Sequence, residues 1–301
     1  MSKKLIPRVL GVFALVLLIV VSVGARQHFH YQDERRAALQ DRQPLFYGGD
    51  VFHVVTYLEL AEGQDLIARL RSFKQITEEL GATWINAGQV ATNGVVSTQL
   101  GDSNWSAVVL LQYPSRAVYD EAAASSGYRK ALAGFDRQYS HGMRRGVSAN
   151  LLLPQRMLQR RVSAALWGPD SPRPFTPADT VRPHHRLMIK NMLGQDDPAG
   201  KPAVVYNLQL TGNPEQQAAN ARYAEPMTAM MGRGGFGPFH VGPAEAVEGS
   251  LNFDSILIAA YPSLQFFADM IGSGFYQGIY HDKQLGDTQA TVTFPILDQL
   301  R

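Results

Sequence analysis

His281, five residues after Tyr276 near the end of an expected helix, is the first candidate for moving a proton. A neutral imidazole there serves as a general base or as a donor to a substrate. As a helix-terminal cation it serves only the helix dipole. His53 and His240 flank expected strands and carry the same two readings. Tyr57, Tyr113, Tyr206 and Tyr261 fall on expected strands, where phenols either line a ligand pocket or pack as core aromatics. Asn207 and Tyr276 complete the ligand-binding candidates. His184 and His185 are adjacent, and adjacent rings diverge on any regular element, so as a pair they chelate poorly and read first as loop histidines. Gly232 to Gly237 satisfies G-x-G-x-x-G, but with a helix expected before it and a strand after it. That is the reverse of the order that aims a helix N-terminus at a phosphate, so the stretch reads as a helix-to-strand loop. No Ser–His–Asp order, paired-carboxylate motif or H-E-x-x-H spacing rises above chance, and no metal site is expected. His281 therefore stands as the single catalytic candidate.

Composition narrows the classes further. The 301 residues contain no cysteine, which excludes a disulfide-stapled scaffold, a Cys-ligated metal centre, a thiol enzyme and a lipid-modified Cys anchor. A hydrophobic content of 45%, with 14 Phe, 12 Tyr and 3 Trp, excludes a wholly disordered chain. The length accommodates two domains, each with its own core.

Val9 to Ala25 is an uncharged apolar run of 17 residues, at the short end of what spans a bilayer. Lys3, Lys4 and Arg8 precede it, which fits a cytoplasmic tail at 1–8 and a retained anchor at 9–25. Val23-Gly24-Ala25 also has the small-residue form of a cleavage site, so an exported chain with a signal segment is the competing reading. Either way the expectation is a bacterial inner-membrane, single-pass protein with its bulk on the periplasmic side and a linker over 26–49. Arg137 to Lys190 carries ten basic residues against Asp170 and Asp179. Within it Arg156, Arg160 and Arg161 share one side of an expected helix opposite Leu158, Val162 and Leu166. Such a helix lies on anionic lipid or packs its apolar side on the body of the protein. Nucleic acid is not an expected partner, and an oligomer is compatible with the sequence.

The elements that position these side chains come from an internal repeat. Asn104-Trp105-Ser106-Ala107-Val108-Val109-Leu110-Leu111-Gln112-Tyr113-Pro114-Ser115 returns as Asn252-Phe253-Asp254-Ser255-Ile256-Leu257-Ile258-Ala259-Ala260-Tyr261-Pro262-Ser263. The match continues with Tyr119 and Phe267, Ser125 and Ser273, and Tyr128 and Tyr276, and upstream Val54–Leu60 matches Val204–Leu210. Two copies of one unit are therefore expected over 50–153 and 202–301, joined by a basic, proline-containing connector at 154–201. Each reads strand–helix–strand–strand–helix–strand, the ferredoxin-like βαββαβ order, with Val147–Leu153 expected to close the first copy. One face of such a sheet is left apolar by its helices' absence, and the second copy supplies its cover.

The Tyr-Pro-Ser turn, the aromatic that follows (Tyr119, Phe267) and the Ser…Tyr pairs (Ser125/Tyr128, Ser273/Tyr276) resemble an uncharacterised bacterial domain family. That family belongs to the dimeric α/β barrel superfamily, beside EthD-like proteins and antibiotic-biosynthesis monooxygenases. The second copy is the better match. Ala133 stands where the second copy has His281, so any role of that histidine is not duplicated. The resemblance implies an α+β fold of two tandem ferredoxin-like units forming an intrachain dimeric α/β barrel, and the apolar run sets one transmembrane helix before it. No cofactor is expected; some barrel relatives bind haem through one histidine, and for that lesser reading His184 or His185 would be the residue. Function is the weaker inference, because the superfamily spans enzymes, haem proteins and binding modules. A small-molecule-binding barrel is expected first; a cofactor-independent monooxygenase or isomerase and a partner-interaction module are the alternatives.

Overall fold

A computed structural model describes the chain apart from residues 1–4, 45–46, 102–103, 147–151, 153–154, 156–157, 160–161, 164–165, 167–174, 195–198, 235 and 248–250. Helix α1 (Leu5–Leu39) precedes a first unit of β1 (Phe52–Glu59), α2 (Leu66–Glu79), β2 (Thr83–Val95), β3 (Ala107–Tyr113), α3 (Arg116–Ala124), α4 (Ser126–Leu132) and β4 (Arg137–Arg144). Helix α5 (Pro183–Leu193) leads to the second unit. That unit has β5 (Ala203–Leu210), α6 (Pro214–Gly234), β6 (Gly237–Ala246), β7 (Ser255–Tyr261), α7 (Leu264–Ile271), α8 (Gly274–Ile279), a 3-10 turn at Tyr280–Asp282, and β8 (Asp287–Pro295).

Both units have the expected βαββαβ order, and their eight strands close into one barrel, β1-β3-β2-β8-β5-β7-β6-β4. The chain is thus an intrachain dimeric α/β barrel. The two four-stranded sheets are joined edge to edge, by antiparallel pairing of β2 with β8 and of β4 with β6. Closure removes all four edges, which would otherwise template association. At the β4–β6 seam the backbones approach closely: a Cβ on Gly142 would meet the Glu245 carbonyl oxygen at 2.9 Å, and one on Gly242 the Arg144 carbonyl oxygen at 2.6 Å.

Strand alternation divides the core in two. Val55, Tyr57, Val108, Leu110, Tyr206, Ile256 and Ile258 point into the barrel, while Val54, Val109, Leu111, Val205 and Ala259 point out beneath the helices. The repeated serines have a local structural job. Ser115, Ser125, Ser263 and Ser273 each accept a hydrogen bond from the backbone N–H three residues on, capping α3, α4, α7 and α8.

Three expectations change. The strand that closes the first unit is Arg137–Arg144, not Val147–Leu153, most of which lies outside the described residues. Its inward side chains are Tyr139, His141 and Met143 and its outward ones Ser140 and Gly142, so it lacks the apolar signature of a strand. The connector also carries an unexpected helix, α5, which starts at Pro183, a residue pre-set for the first turn of a helix. The stretch 26–49 is not a free linker. From Val12 to Val23 the apolar side chains of α1 are 51–67% exposed, but His28, Tyr31, Gln32, Arg35 and Leu39 are buried along one face against the barrel. Gln40, at φ 53°, ends the helix, and Asp41 and Gln43 follow it into the interior. By length and composition, this one helix can cross a membrane.

Candidate functional site

Two assemblies of polar side chains result. The first lies in the barrel, where His53 and His240 are fully buried and are joined by Arg35, Asp41, Gln43 and Arg145. Asp41 accepts from Arg35 Nη2 at 2.9 Å, from His240 Nε2 at 2.6 Å and from the Gln43 backbone N–H at 2.8 Å. The carboxylate therefore fixes the His240 tautomer with the proton on Nε2. His53 Nε2 donates to Gln43 Oε1 at 3.0 Å, and Arg145 donates to the same oxygen at 3.3 Å and to the Phe239 carbonyl at 2.8 Å. Tyr206 donates to Asn86 Oδ1 at 2.5 Å, and Asn86 Nδ2 to the Leu39 carbonyl at 2.7 Å, so the end of α1 is tied to both units.

Burial would raise the Asp41 carboxyl, but Arg35 and His240 hold it well below the usual carboxylate range. Burial lowers His240 to about 3 despite Asp41, with Arg145 adding to the fall, and lowers His141 to about 4. His53 is held well below its ordinary value by burial, then by Arg145. The cluster is therefore an internal ion pair with neutral imidazoles, and it welds the N-terminal segment into the barrel.

The second assembly lies outside the barrel wall, between the second sheet and its helices. A cavity of about 140 Å³ is bounded by β5 and β7, by α5 and α6, and by the α8–3-10 corner. Asn207 and Tyr261 reach it from the sheet, Tyr223 from α6, His185 from α5, and Tyr276, Tyr280 and Lys283 from the corner. The Asn207 amide nitrogen is held by the Leu257 carbonyl at 3.1 Å. Gln277 donates to His185 Nδ1 at 2.9 Å, leaving the proton on Nε2. Burial lowers His185 to about 4, with His184 contributing, and desolvation lowers the Lys283 ammonium to about 8. Burial raises Tyr223, Tyr261 and Tyr276 above the ordinary phenol range, so all three remain O–H donors at neutral pH. The matching space in the first unit is filled by Phe73, whose ring lies 5.8 Å from Trp84, 6.0 Å from Tyr128 and 5.9 Å from Phe135. One repeat holds an aromatic cluster at this place; the other holds a cavity.

The candidates separate accordingly. His53, Tyr57, Tyr206 and His240 are inside the barrel, and Asn207, Tyr261 and Tyr276 line the outer cavity. Tyr113 and Tyr261 do not line the space between the sheets. Register decides this: Tyr113 pairs with Phe52 and Tyr261 with Ala203, both outward, whereas Tyr57 pairs with Val108, inward. His281 is 67% exposed and faces Asp282 at 3.3 Å, on the outside of the turn. His184 and His185 are helical, His184 exposed and His185 buried against Tyr276 and Tyr280. Arg156, Arg160 and Arg161 lie outside the described residues. Arg35, Asp41, Gln43, Arg145 and Lys283 were not singled out by the sequence; a charge that fails to fit a linker or surface face shows only once the barrel is built.

A porphyrin does not fit beside His185. About 140 Å³ is well under the roughly 300–1,000 Å³ of drug-sized pockets, and the Gln277 amide on Nδ1 leaves Nε2 protonated, without a free lone pair for iron. Among the described residues, no group of three or more His, Cys, Asp or Glu side chains is placed to hold a metal ion.

The strand order defines the class, a dimeric α/β barrel built from one polypeptide. No protein-family model matches the sequence, and no curated protein matches it. Among solved structures the chain is similar to an anthrone oxidase-like protein, at 8% identity over 83% of this chain and 92% of that one, TM-score 0.43. It is also similar to a dye-decolorizing protein from V. cholerae, at 12% identity over 85% and 96%, TM-score 0.41. A mutant chlorite dismutase from Candidatus Nitrospira defluvii aligns at 8% identity over 84% and 95%, TM-score 0.40. Likenesses of this order carry no functional argument.

Proposed function

We propose that this chain is a membrane-tethered binding protein for a compact, largely apolar molecule, taken into the cavity of the second unit. The observation that carries the reading is the asymmetry of the repeat: aromatic packing fills the first unit, while the second keeps about 140 Å³ edged by phenols, an imidazole and a lysine. A dry cavity of about 150 Å³ accommodates a benzene-sized molecule. The ligand is thus a single ring or its equivalent, with one polar group turned toward Lys283 or a tyrosine. Lys3, Lys4 and Arg8 favour the barrel on the periplasmic side of a bacterial inner membrane.

The basic stretch is read as a second membrane contact. Gln155 donates to the Gly24 carbonyl at 3.1 Å, and Leu158 shares a cleft with Val23, Arg26, Gln27 and His30, where the apolar run ends. Leu152, Val162 and Leu166 of the same stretch are 51%, 48% and 66% exposed, and Arg156, Arg160 and Arg161 belong to it in sequence.

The test is thermal unfolding of the full chain in detergent against graded ligands. Phenol, benzyl alcohol and toluene raise the midpoint, because ligands that bind only the native state stabilise it. Naphthols and larger polycycles leave it unmoved. A panel in which size makes no difference removes the cavity from the account.

A further inference from the structure

We propose that Lys283 is a carbonyl-capturing amine: it condenses with a small aldehyde held in the second unit's cavity to form an imine. This rests on the cavity being a binding site, and it names the ligand class as single-ring aldehydes. Lys283 lines the cavity, with Nζ 5.8 Å from the Tyr223 ring centre and 5.9 Å from that of Tyr280. Among the described residues its ammonium has no carboxylate or hydrogen-bond partner. The carboxylate next to it in the chain is drawn elsewhere, since Asp282 pairs with Arg222 at 2.7 Å and with His281 at 3.3 Å. The other titratable groups around it are the imidazoles of His184 and His185, both lowered by burial and further by the Lys283 charge, the Tyr276 phenol, and Arg182, which lies over the Tyr280 ring at 5.0 Å. No carboxylate compensates the lysine cation; only the faces of Tyr223 and Tyr280, at the outer limit of cation–π range, offset its burial, and a desolvated amine without a counter-ion is the setting in which enzymes obtain a nucleophilic lysine.

The chemistry is a dehydration without a redox step. Unprotonated Nζ forms a bond to the carbonyl carbon, and the oxygen takes a proton to give a carbinolamine. The C–O bond then breaks and the oxygen leaves as water with a second proton. Nitrogen gives up its two protons and ends doubly bonded to carbon. Tyr223 and Tyr280, kept protonated by burial, supply the O–H groups on that side of the cavity. The imine is reversible, so capture and release need no further reagent.

Benzaldehyde with cyanoborohydride, applied to the full chain in detergent at neutral pH, tests this. Reduction fixes each imine as one benzyl group, located by peptide mass spectrometry. At limiting aldehyde the occupancy of Lys283 exceeds that of Lys74, Lys130 or Lys201 at least tenfold. Its labelling rate rises through pH about 8, and excess benzyl alcohol suppresses it. Lys283→Arg, checked for an unchanged circular dichroism spectrum, loses this label and no other. Should that variant fail to fold, the site distribution and the benzyl alcohol competition in the natural chain still decide. Even labelling over all lysines, or labelling of Lys283 that benzyl alcohol does not affect, overturns the proposal. If benzyl alcohol stabilises the protein while Lys283 is not preferred, only the imine fails. If benzyl alcohol has no effect on stability either, the cavity reading fails with it.

Discussion

At the scale of single residues the controlling feature is a carboxylate that arrives from outside the repeat. Asp41 satisfies Arg35 and His240 together, both of them buried. Removing one partner of a buried pair leaves a charge with no compensation, which costs about 3–5 kcal/mol. Asp41→Asn keeps the shape and deletes the charge, so its unfolding free energy in urea falls by that order relative to the natural chain; a loss under about 1 kcal/mol would contradict the description of the cluster. Acid acts on the same residues. His240, near 3, His141, near 4, and His53, well below its ordinary value, bind fewer protons folded than at their unfolded value of about 6.5. Their contribution is complete above pH 6.5 and is lost as pH falls toward the folded values. Asp41 adds a loss of the same sign at lower pH. The urea midpoint therefore declines between pH 7 and 5, before most carboxylates titrate, and His240→Gln declines less steeply. A midpoint flat over that range would show that these imidazoles are already charged.

At the scale of elements, α1 belongs to two environments. Its first half shows apolar side chains on every side, and its second half presents one face of His28, Tyr31, Gln32, Arg35 and Leu39 to the barrel. Deleting residues 1–25 leaves the cluster intact and gives a folded protein. Deleting 1–43 strips the interior of Arg35, Asp41 and Gln43 and exposes the walls they cover, so that protein aggregates or loses its cooperative transition. Equal behaviour of the two truncations in size-exclusion chromatography and calorimetry would refute the role given to the segment. The sequence concealed this element for a physical reason: Arg35, Asp41 and Gln43 have the composition of a solvated linker, and their partners lie as far as His240 along the chain. The caps were more legible. Ser263 and Ser273 stand out because the repeat carries them, and the hydrogen bonds they accept explain the pattern without any chemistry at the hydroxyls. Ser263→Ala and Ser273→Ala each cost about 1 kcal/mol, with ligand binding unchanged after correction for stability. The closing strand of the first unit stayed hidden because its outward positions are Gly142, where the seam leaves no room for a side chain, and Ser140, whose hydroxyl hydrogen-bonds Thr56.

At the scale of the whole molecule, duplication within one chain frees the two halves to differ. The barrel was legible because two matching units, each with an uncovered sheet face, have one economical way to cover both. The site was legible only in part. Asn207, Tyr261 and Tyr276 were in view, but whether the space beneath them is filled depends on how α6 lies over the sheet, and no periodicity encodes that. Tyr223 and Met227 of α6 border the cavity where Phe73 of α2 occupies the centre of the first unit. Ala224, also on α6, faces the same space, and a larger side chain there occupies it. Ala224→Leu buries added carbon without a new polar group, a change that commonly contributes about 0.5–2 kcal/mol of stability. The most direct measurement is the melting temperature of the full chain and of Ala224→Leu, each with and without saturating benzyl alcohol. The natural chain should melt several degrees higher with the ligand, consistent with about 2.7 kcal/mol at a hundred times Kd. The variant should melt higher than the natural chain when unliganded and should not respond to benzyl alcohol. A natural chain that does not respond, or a variant that responds equally, would contradict the assignment of the cavity as the binding site.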